Sequence, residues 1–139
     1  MRRFKGRRAL VTAAGSGLGR GVAFRLAREG AEVTLWDRDG ELLEEAAREA
    51  AEEGLAVDTR VVDMMEGAAI AEAARALESD SGGIDVLVNN IGGSLHTPFR
   101  FLEQSDADWE RVMAVNVTAC VRTTRALLPG MVARGYGRV

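Results

Sequence analysis

Glycines cluster directly after the first apolar run of the chain. The run Ala9-Leu10-Val11 leads into Thr12-Ala13-Ala14-Gly15-Ser16-Gly17-Leu18-Gly19, and an amphipathic segment with Val22 and Leu26 follows at helical spacing. This order predicts a strand, a tight turn and a helix. The first amides of a helix have no partner within it and carry partial positive charge, so the turn is a candidate phosphate cradle. Taken alone, it could equally be structural, because glycine serves any chain that needs a positive φ.

A carboxylate at the end of the second apolar run favours a binding function for the turn. Asp37 follows Ala31 to Trp36 and lies 18 positions after Gly19, close to the roughly 20-residue spacing of dinucleotide-binding sites. A carboxylate there can accept hydrogen bonds from both ribose hydroxyls of an adenosine and repels a 2′-phosphate, which favours NAD over NADP. The alternative is that Asp37 caps the following helix. Arg38 is interpreted as solvated, although it could soften the preference against NADP.

Composition limits the class of protein. The chain has 139 residues, of which 47% are hydrophobic and 28% charged, and this indicates one globular domain with a real core. A net charge of −3 gives no indication of nucleic-acid binding. No run of 18 apolar residues predicts a membrane span, no metal site is predicted, and the single cysteine, Cys120, cannot form an internal disulfide. We therefore expect a cytoplasmic protein.

Strands alternate with helices along the first two thirds of the chain. The expected strands are 8–12, 31–37, 56–62 and 84–88, and the expected helices between them are 18–29, 39–53 and 66–78. The third strand is the most polar, as expected near a sheet edge. Helical crossovers of this length imply a parallel sheet, and right-handed connections favour the doubly wound order 3-2-1-4. A ligand crevice then lies at the carboxyl ends of strands one and four.

The last third is predicted to contain one long helix. Asn89-Asn90-Ile91-Gly92 follows strand four at the same sheet edge as the glycine-rich turn. Ser105 and Asp108 have the spacing of an acidic capping box. The periodic pattern that follows places Asn116 on a stripe expected to be buried, and Pro129 is expected to kink or end the helix. Residues 135–139 indicate a turn into a fifth strand that has only begun where the sequence stops.

Three motifs together resemble the short-chain dehydrogenases and reductases. They are the segment Thr12 to Gly19, Asn89-Asn90-Ile91-Gly92 and Val115-Asn116-Val117, in the family's order and at its spacing. The resemblance runs from about Lys5 to Val139. Ala13 stands where the family usually has its first glycine, and Ile91 where it usually has alanine. We interpret Ala13 as a tolerated variation, on the condition that its φ is negative.

The resemblance implies a Rossmann-like fold, a nicotinamide cofactor and hydride transfer between a secondary alcohol and a ketone. It assigns cofactor contacts to Thr12, Gly15, Ser16, Gly17, Leu18, Gly19, Asp37, Arg38, Asp63, Met64, Asn89, Asn90, Ile91 and Gly92. Asp63 would meet the adenine, unless it is only a helix N-cap. One of the two adjacent asparagines would brace the sheet centre and the other would approach the ribose. Asn116 is assigned a catalytic role, kinking its helix and holding a proton-relay water; the alternative is a buried amide satisfied by backbone groups.

The family's catalytic Ser and Tyr-x-x-x-Lys elements do not occur in the sequence. Tyr136 is the only tyrosine and Lys5 the only lysine. Residues 1–139 are therefore expected to form the cofactor-binding half of an oxidoreductase, a Rossmann domain incomplete at its carboxyl end that does not turn over substrate. The alternative is a non-catalytic nucleotide-binding or interaction module. The resemblance also implies a small alcohol or ketone substrate and self-association through the long helix, without nucleic-acid or membrane partners.

Overall fold

The computed structural model describes residues 2–139. Its strands are β1 (Arg8–Thr12), β2 (Glu32–Asp37), β3 (Val57–Val61) and β4 (Val86–Val88). Its helices are α1 (Gly17–Arg28), α2 (Gly40–Glu52), α3 (Gly67–Ser81), α4 (Asp106–Met113) and α5 (Ala119–Ala133), with a 3-10 turn at Phe101–Glu103 and a π-helical turn at Ala114–Thr118. Strands and helices alternate through β4, as the periodicity predicts.

The four strands form one parallel sheet in the order β3-β2-β1-β4. The order and the Rossmann-like architecture predicted from the sequence are confirmed. Val11 of β1 is aligned with Leu35 of β2 on one side and with Val88 of β4 on the other. β1 and β4 are therefore adjacent although two strands and three helices separate them in sequence, and the segments that follow them meet at one edge. β3 is an edge strand with three of its five residues exposed.

Alternate residues of the central strands pack into two apolar layers. Ala9, Val11, Val33 and Leu35 face α1 and α2, where Phe24, Leu43 and Ala46 complete the first layer. Leu10, Trp36 and Leu87 face α3 and α5 on the other side, with Ile70, Ala73, Leu127 and Met131. Burial on both faces is what a central parallel strand requires, because helices cover the sheet from both sides. The two layers hold the carboxyl ends of β1, β2 and β4 rigidly in place.

The long helix differs from the prediction at Asn116, which is exposed rather than buried. The π-helical turn Ala114–Thr118 carries Asn116 and shifts the face presented to the core. Beyond it the buried positions recur every four residues, at Val115, Ala119, Thr123, Leu127 and Met131. Trp109 and Met113, on the predicted buried stripe, are 43% and 49% exposed. A sequence pattern that assumes 3.6 residues per turn cannot anticipate this change of face.

Pro129 does not end α5, which continues to Ala133. A proline within a helix removes one backbone donor, but the residues on either side of it, Leu127 and Met131, are fully buried in the core. Tertiary packing thus maintains the helix across the proline. Of the two outcomes expected at Pro129, a helix end is therefore wrong, and a kink stays a prediction.

The chain returns to the sheet at Arg138. Its amide donates to the carbonyl of Asp85 (2.9 Å), and its carbonyl accepts from the amide of Leu87 (2.8 Å), forming a parallel bridge opposite Val86. The start of a fifth strand beside β4 is therefore present. Among residues 2–139, none of the helices combines the length and the apolar composition that a membrane crossing requires.

Candidate cofactor site

Thr12 and Asn90 join the turn after β1 to the turn after β4. The buried Thr12 hydroxyl accepts hydrogen bonds from the amides of Asn90 (3.0 Å) and Ile91 (3.1 Å). In return, the Asn90 side-chain amide donates to the carbonyls of Thr12 and Ala13, both at 3.1 Å. Because these bonds cross between adjacent strands, Asn90 is the asparagine that braces the sheet centre.

The side chain of Asn89 bonds to α5 and not to the turn after β1. Its Nδ2 donates to Thr124 Oγ1 on α5 at 3.0 Å, and its Oδ1 is buried without a hydrogen-bond partner among residues 2–139. Of the two asparagines, Asn90 thus makes the side-chain bonds between the turns after β1 and β4, and Asn89 bonds to α5. A ribose contact by Asn89 stays a prediction.

Two glycines of the turn, Gly15 and Gly19, lie very close to neighbouring groups. A Cβ on Gly15 would come within 3.0 Å of both Asp37 Oδ2 and Leu42 Cβ. A Cβ on Gly19 would overlap the carbonyl oxygen of Ala13 and lie 2.6 Å from Asn90 Nδ2. Close approach of the backbone to neighbouring groups therefore explains these two glycines directly.

The start of α1 leaves its first amides available. Ser16 is the extended N-cap residue (φ −154°), but its side chain makes no capping hydrogen bond. Gly17 has φ +55°, and Leu18 beside it is 77% exposed. First-turn amides that have no partner within a helix, a positive helix end and glycines without side chains suit an anionic group such as pyrophosphate. The turn therefore fits the cofactor that the sequence motifs imply.

Ala13 adopts a conformation that the sequence interpretation excluded. Its φ is +50°, in the left-handed region, whereas we expected a negative angle. This explains why the family usually has glycine at the position, since a Cβ in this region costs about 1–2 kcal/mol. The hydrogen bond from the amide of Ala14 to the carbonyl of Trp36 (3.1 Å) holds the turn in place despite the strain.

Asp37 lies against the turn with both carboxylate oxygens oriented. Oδ2 accepts from the amide of Gly15 (2.9 Å) and Oδ1 from the amide of Asp39 (3.1 Å). The N-cap of α2 is Asp39, whose side chain accepts from the amides of Glu41 and Leu42, so Asp37 is not the helix cap. A carboxylate has about four acceptor positions, and the Asp37 oxygens therefore retain capacity for a pair of hydroxyl donors.

A cavity of about 150 Å³ adjoins Asp37. Several residues predicted for cofactor contact line it, namely Asp37, Arg38, Asp63, Met64, Ile91 and Gly92, together with Val115 and Leu95. Asp63 is exposed at its rim, where its Oδ1 accepts from the amide of Met65 at 2.9 Å. The N-cap of α3 is Glu66, so the N-cap alternative for Asp63 is also wrong. Buried Met64 and half-buried Ile91 offer apolar walls for a flat ring.

Asn116 holds the segment after β4 and does not line this cavity. Its Nδ2 donates to the carbonyls of Gly93 and Val112 (both 2.8 Å), and its Oδ1 accepts from the amide of Gly93 (3.1 Å). A Cβ on Gly92 would lie 2.6 Å from that oxygen. Backbone groups thus satisfy the side chain within the π-helical turn. The catalytic role of Asn116 stays a prediction.

Arg20 contacts the turn and was missed by the sequence reasoning. Its Nε and Nη2 donate to the carbonyl of Gly15 at 2.9 and 2.5 Å. Its Nη1 donates to Glu45 Oε1 and Glu49 Oε2 on α2, both at 3.0 Å. Burial alone would lower the pKa of Arg20, but the bonds to Glu45 and Glu49 raise it above its usual value. The four-residue spacing of the two glutamates was the available signal.

Comparisons with known proteins identify the family of the chain. The model of the family described as short chain dehydrogenase matches residues 7–139. The chain belongs to the short-chain dehydrogenase family. Gluconate 5-dehydrogenase of Gluconobacter oxydans is 40% identical over 134 residues, and D-beta-hydroxybutyrate dehydrogenase of Cupriavidus necator is 36% identical over 137 residues; each match covers 96% of this chain. The structure of L-sorbose reductase from Gluconobacter frateurii, complexed with NADPH and L-sorbose, superposes with a TM-score of 0.88 at 35% identity over 98% of this chain.

The relatives named here are longer than this chain. The matches cover 52% of gluconate 5-dehydrogenase, 51% of D-beta-hydroxybutyrate dehydrogenase and 51% of the L-sorbose reductase chain. The chain therefore spans about half the length of the relatives it matches, and its similarity to them covers the sheet, the glycine-rich turn and the long helix.

Proposed function

We propose that the chain is the cofactor-binding half of an NAD-dependent oxidoreductase that interconverts a secondary alcohol and a ketone. The observation that carries the proposal is the contact between Asp37 Oδ2 and the amide of Gly15, which joins the ribose-binding candidate to the phosphate-binding candidate. Family membership supports the reaction class. We also propose a cytoplasmic location, since the lone Cys120 gives no reason to expect an oxidising compartment.

Each part of the dinucleotide has a candidate position on the chain. The pyrophosphate would lie at the first amides of α1, over Ser16, Gly17 and Leu18. The adenosine ribose would bind Asp37, and the adenine would occupy the cavity beside Asp63, Met64 and Ile91. When bound, the nicotinamide accepts or donates the hydride. In this account the protein's residues orient the dinucleotide and exclude water from it.

The choice of NAD over NADP depends on Asp37 and Arg38. L-sorbose reductase, a structural neighbour, binds NADPH, and this supports a nicotinamide cofactor while pointing to the phosphorylated form. In this chain, however, the Asp37 carboxylate lies beside Gly15, where a 2′-phosphate would meet a like charge. Arg38 is exposed at the rim of the same cavity and could reach a phosphate. We propose that Asp37 dominates, because its side chain is fixed by two backbone amides.

Titration of the 139-residue chain with NADH and with NADPH tests the cofactor proposal. We expect tighter binding of NADH, and we expect Asp37→Ser to reduce the ratio of the two affinities by about ten-fold or more, because like-charge juxtaposition costs several kcal/mol and about 1.4 kcal/mol is ten-fold. Asp58→Ser is the matched control, since it removes the same charge from exposed β3 outside the cavity. Equal effects of the two substitutions, or tighter binding of NADPH by the unmodified chain, would overturn the assignment of NAD.

The isolated chain is expected to bind cofactor without catalysis. Its only tyrosine and lysine, Tyr136 and Lys5, do not form a Tyr-x-x-x-Lys element. Incubation with NAD and gluconate, D-β-hydroxybutyrate or another secondary alcohol should therefore produce no NADH. Steady NADH production by the purified chain would show that other residues supply the proton transfer.

We further propose that the protein self-associates through the outer face of α4 and α5. Apolar residues recur on that face at helical spacing and remain 43–71% exposed, namely Trp109, Met113, Val117, Val121, Leu128 and Val132. Exposed rows of this kind mark interaction surfaces. The same row favours the second candidate function, a non-catalytic interaction module. Analytical ultracentrifugation should show a dimer or larger species that Val121→Asp dissociates; a monomeric unmodified chain would contradict the proposal.

A further inference from the structure

Arg20 connects the glycine-rich turn to α2 through a nearly buried guanidinium. Its side chain is 16% exposed, whereas the two glutamates that it binds, Glu45 and Glu49, are 54% and 48% exposed. Two of its nitrogens donate to one backbone oxygen, the carbonyl of Gly15, and the third bridges both carboxylates. A planar guanidinium can make this set of bonds at once, whereas an ammonium group cannot reproduce its geometry.

The backbone of Gly15 is consequently held from both sides by charged side chains. Its amide donates to Asp37 Oδ2 at 2.9 Å, and its carbonyl accepts from Arg20. Gly15 lacks a side chain to fix its backbone angles, so these two bonds determine the direction of its peptide groups. The orientation of the Asp37 carboxylate depends in turn on the position of the Gly15 amide.

We propose that Arg20 is a positioning residue for the cofactor: it fixes Gly15, and through Gly15 the Asp37 carboxylate, in the arrangement that receives the adenosine ribose and the adjoining phosphates. The inference rests on the proposed binding of a nicotinamide dinucleotide. Arg20 itself does not contact the cofactor in this account. Its bonds to Glu45 and Glu49 anchor the turn to a helix that is packed into the core through Leu43 and Ala46.

The glutamate pair also determines how the charge of Arg20 acts. One guanidinium faces two carboxylates, so the cluster has a net charge of −1, and Asp37 adds a further negative charge on the other side of Gly15. The cation is therefore not available to a 2′-phosphate. Arg20 thus stabilises the turn without attracting NADP, which is consistent with the preference proposed for Asp37.

Substitution of Arg20 and of Arg28 provides a matched comparison. Arg28 bridges the same two helices at their other end, donating to Glu53 at 2.8 and 2.7 Å, and it does not contact the turn. We expect Arg20→Met to weaken NADH binding about ten-fold, because loss of an ordered charge-assisted contact at a site costs that order of affinity. Arg28→Met should leave the affinity for NADH unchanged. Arg20→Lys should restore only part of the loss.

Two further measurements separate positioning from general stability. Amide hydrogen exchange of Gly15 in the cofactor-free chain should accelerate in Arg20→Met and not in Arg28→Met. We expect this difference even if the two substitutions lower the melting temperature by the same amount. The double variant Glu45→Gln/Glu49→Gln retains the bonds to Gly15 but releases the cation, so its affinity for NADPH relative to NADH should rise. An unchanged ratio would refute the charge argument.

The results distinguish this inference from the proposed function. If the unmodified chain binds neither NADH nor NADPH, the proposed function fails, and exchange at Gly15 alone still reports whether Arg20 orders the turn. If the unmodified chain binds NADH and Arg20→Met binds it as well as Arg28→Met does, the positioning role is wrong. Should Arg20→Met fail to fold, Arg20→Lys compared with Arg28→Lys tests the positioning role in the same way.

Discussion

Gly19 and Gly21 lie two residues apart in α1 and should respond oppositely to a methyl group. A Cβ on Gly19 would overlap the carbonyl oxygen of Ala13 and lie 2.6 Å from Asn90 Nδ2, whereas a Cβ on Gly21 would meet nothing within 4 Å. Both residues are helical, and neither has a positive φ. The comparison therefore isolates the close contact between α1 and the turn from the helix propensity of alanine.

The expected magnitudes follow from these contacts. Overpacking at Gly19 costs about 1–3 kcal/mol, and displacement of Asn90 from its two carbonyl acceptors costs about 0.5–1.5 kcal/mol for each bond lost. Gly19→Ala should therefore destabilise the chain by about 2–6 kcal/mol if both bonds are lost. Gly21→Ala should stabilise it by about 0.5–1 kcal/mol, because alanine loses less backbone entropy in a helix.

Urea unfolding followed by circular dichroism measures both effects, and NADH titration of the same variants reports the site. The free energies of unfolding of the two variants should differ by about 2.5 kcal/mol or more. Gly19→Ala should also lose NADH binding where Gly21→Ala retains it. If the two variants had equal stability and equal affinity, the account of α1 packed closely against the braced turn would be wrong.

Three further substitutions test separate features of the fold. Ala13→Gly should stabilise the chain by about 0.5–1 kcal/mol in urea unfolding, since relief of about 1–2 kcal/mol of left-handed strain exceeds the entropy that glycine adds to the unfolded chain; a loss of stability would contradict the strain at this residue. Arg3 and Arg25 hold the pKa of Glu29 at about 2 against an ordinary 4.5, so the stability contributed by the ionised carboxylate is complete above about pH 4.5 and is lost as the pH falls towards about 2. The stability gap between the unmodified chain and Glu29→Gln should accordingly narrow over that range, and a gap independent of pH would refute the ion pairing. Asn116→Ala removes three hydrogen bonds to Gly93 and Val112 and should cost about 1–2 kcal/mol and accelerate amide exchange at Gly93; unchanged exchange there would exclude the bracing role.

The fold was predictable because its signals are local and repeated. Apolar runs of strand length, helices of crossover length and glycine punctuation between them leave few arrangements of a parallel sheet, and the order β3-β2-β1-β4 is one of these. The capping box at Ser105 and Asp108 was predictable for the same reason, because it depends on residues three positions apart. The end of the second strand at Asp37 was also predicted correctly, and Asp37 lies beside the turn because the carboxyl ends of adjacent parallel strands meet at one edge.

The features missed by the sequence depend on backbone geometry and on long-range contacts. The residue type at Ala13 does not indicate its left-handed φ. The π-helical turn at Ala114–Thr118 changes which side of the helix is buried, and the composition of the helix does not indicate this change. From the sequence alone Arg20 is expected to be a solvated helix residue, and only the folded structure shows its contacts with α2. Asp39 rather than Asp37 caps α2, and only the hydrogen bonds distinguish these two carboxylates, which lie two positions apart in the sequence.

Amide chemical-shift mapping of the ¹⁵N-labelled chain during titration with NAD tests the central claim most directly. The account predicts saturable shifts that are largest at Gly15 to Gly19, Asp37, Asp63 and Ile91, with none on the outer edge at Asp58 to Arg60. Absence of shifts at millimolar NAD, or shifts confined to residues outside the turn and its cavity, would contradict the account.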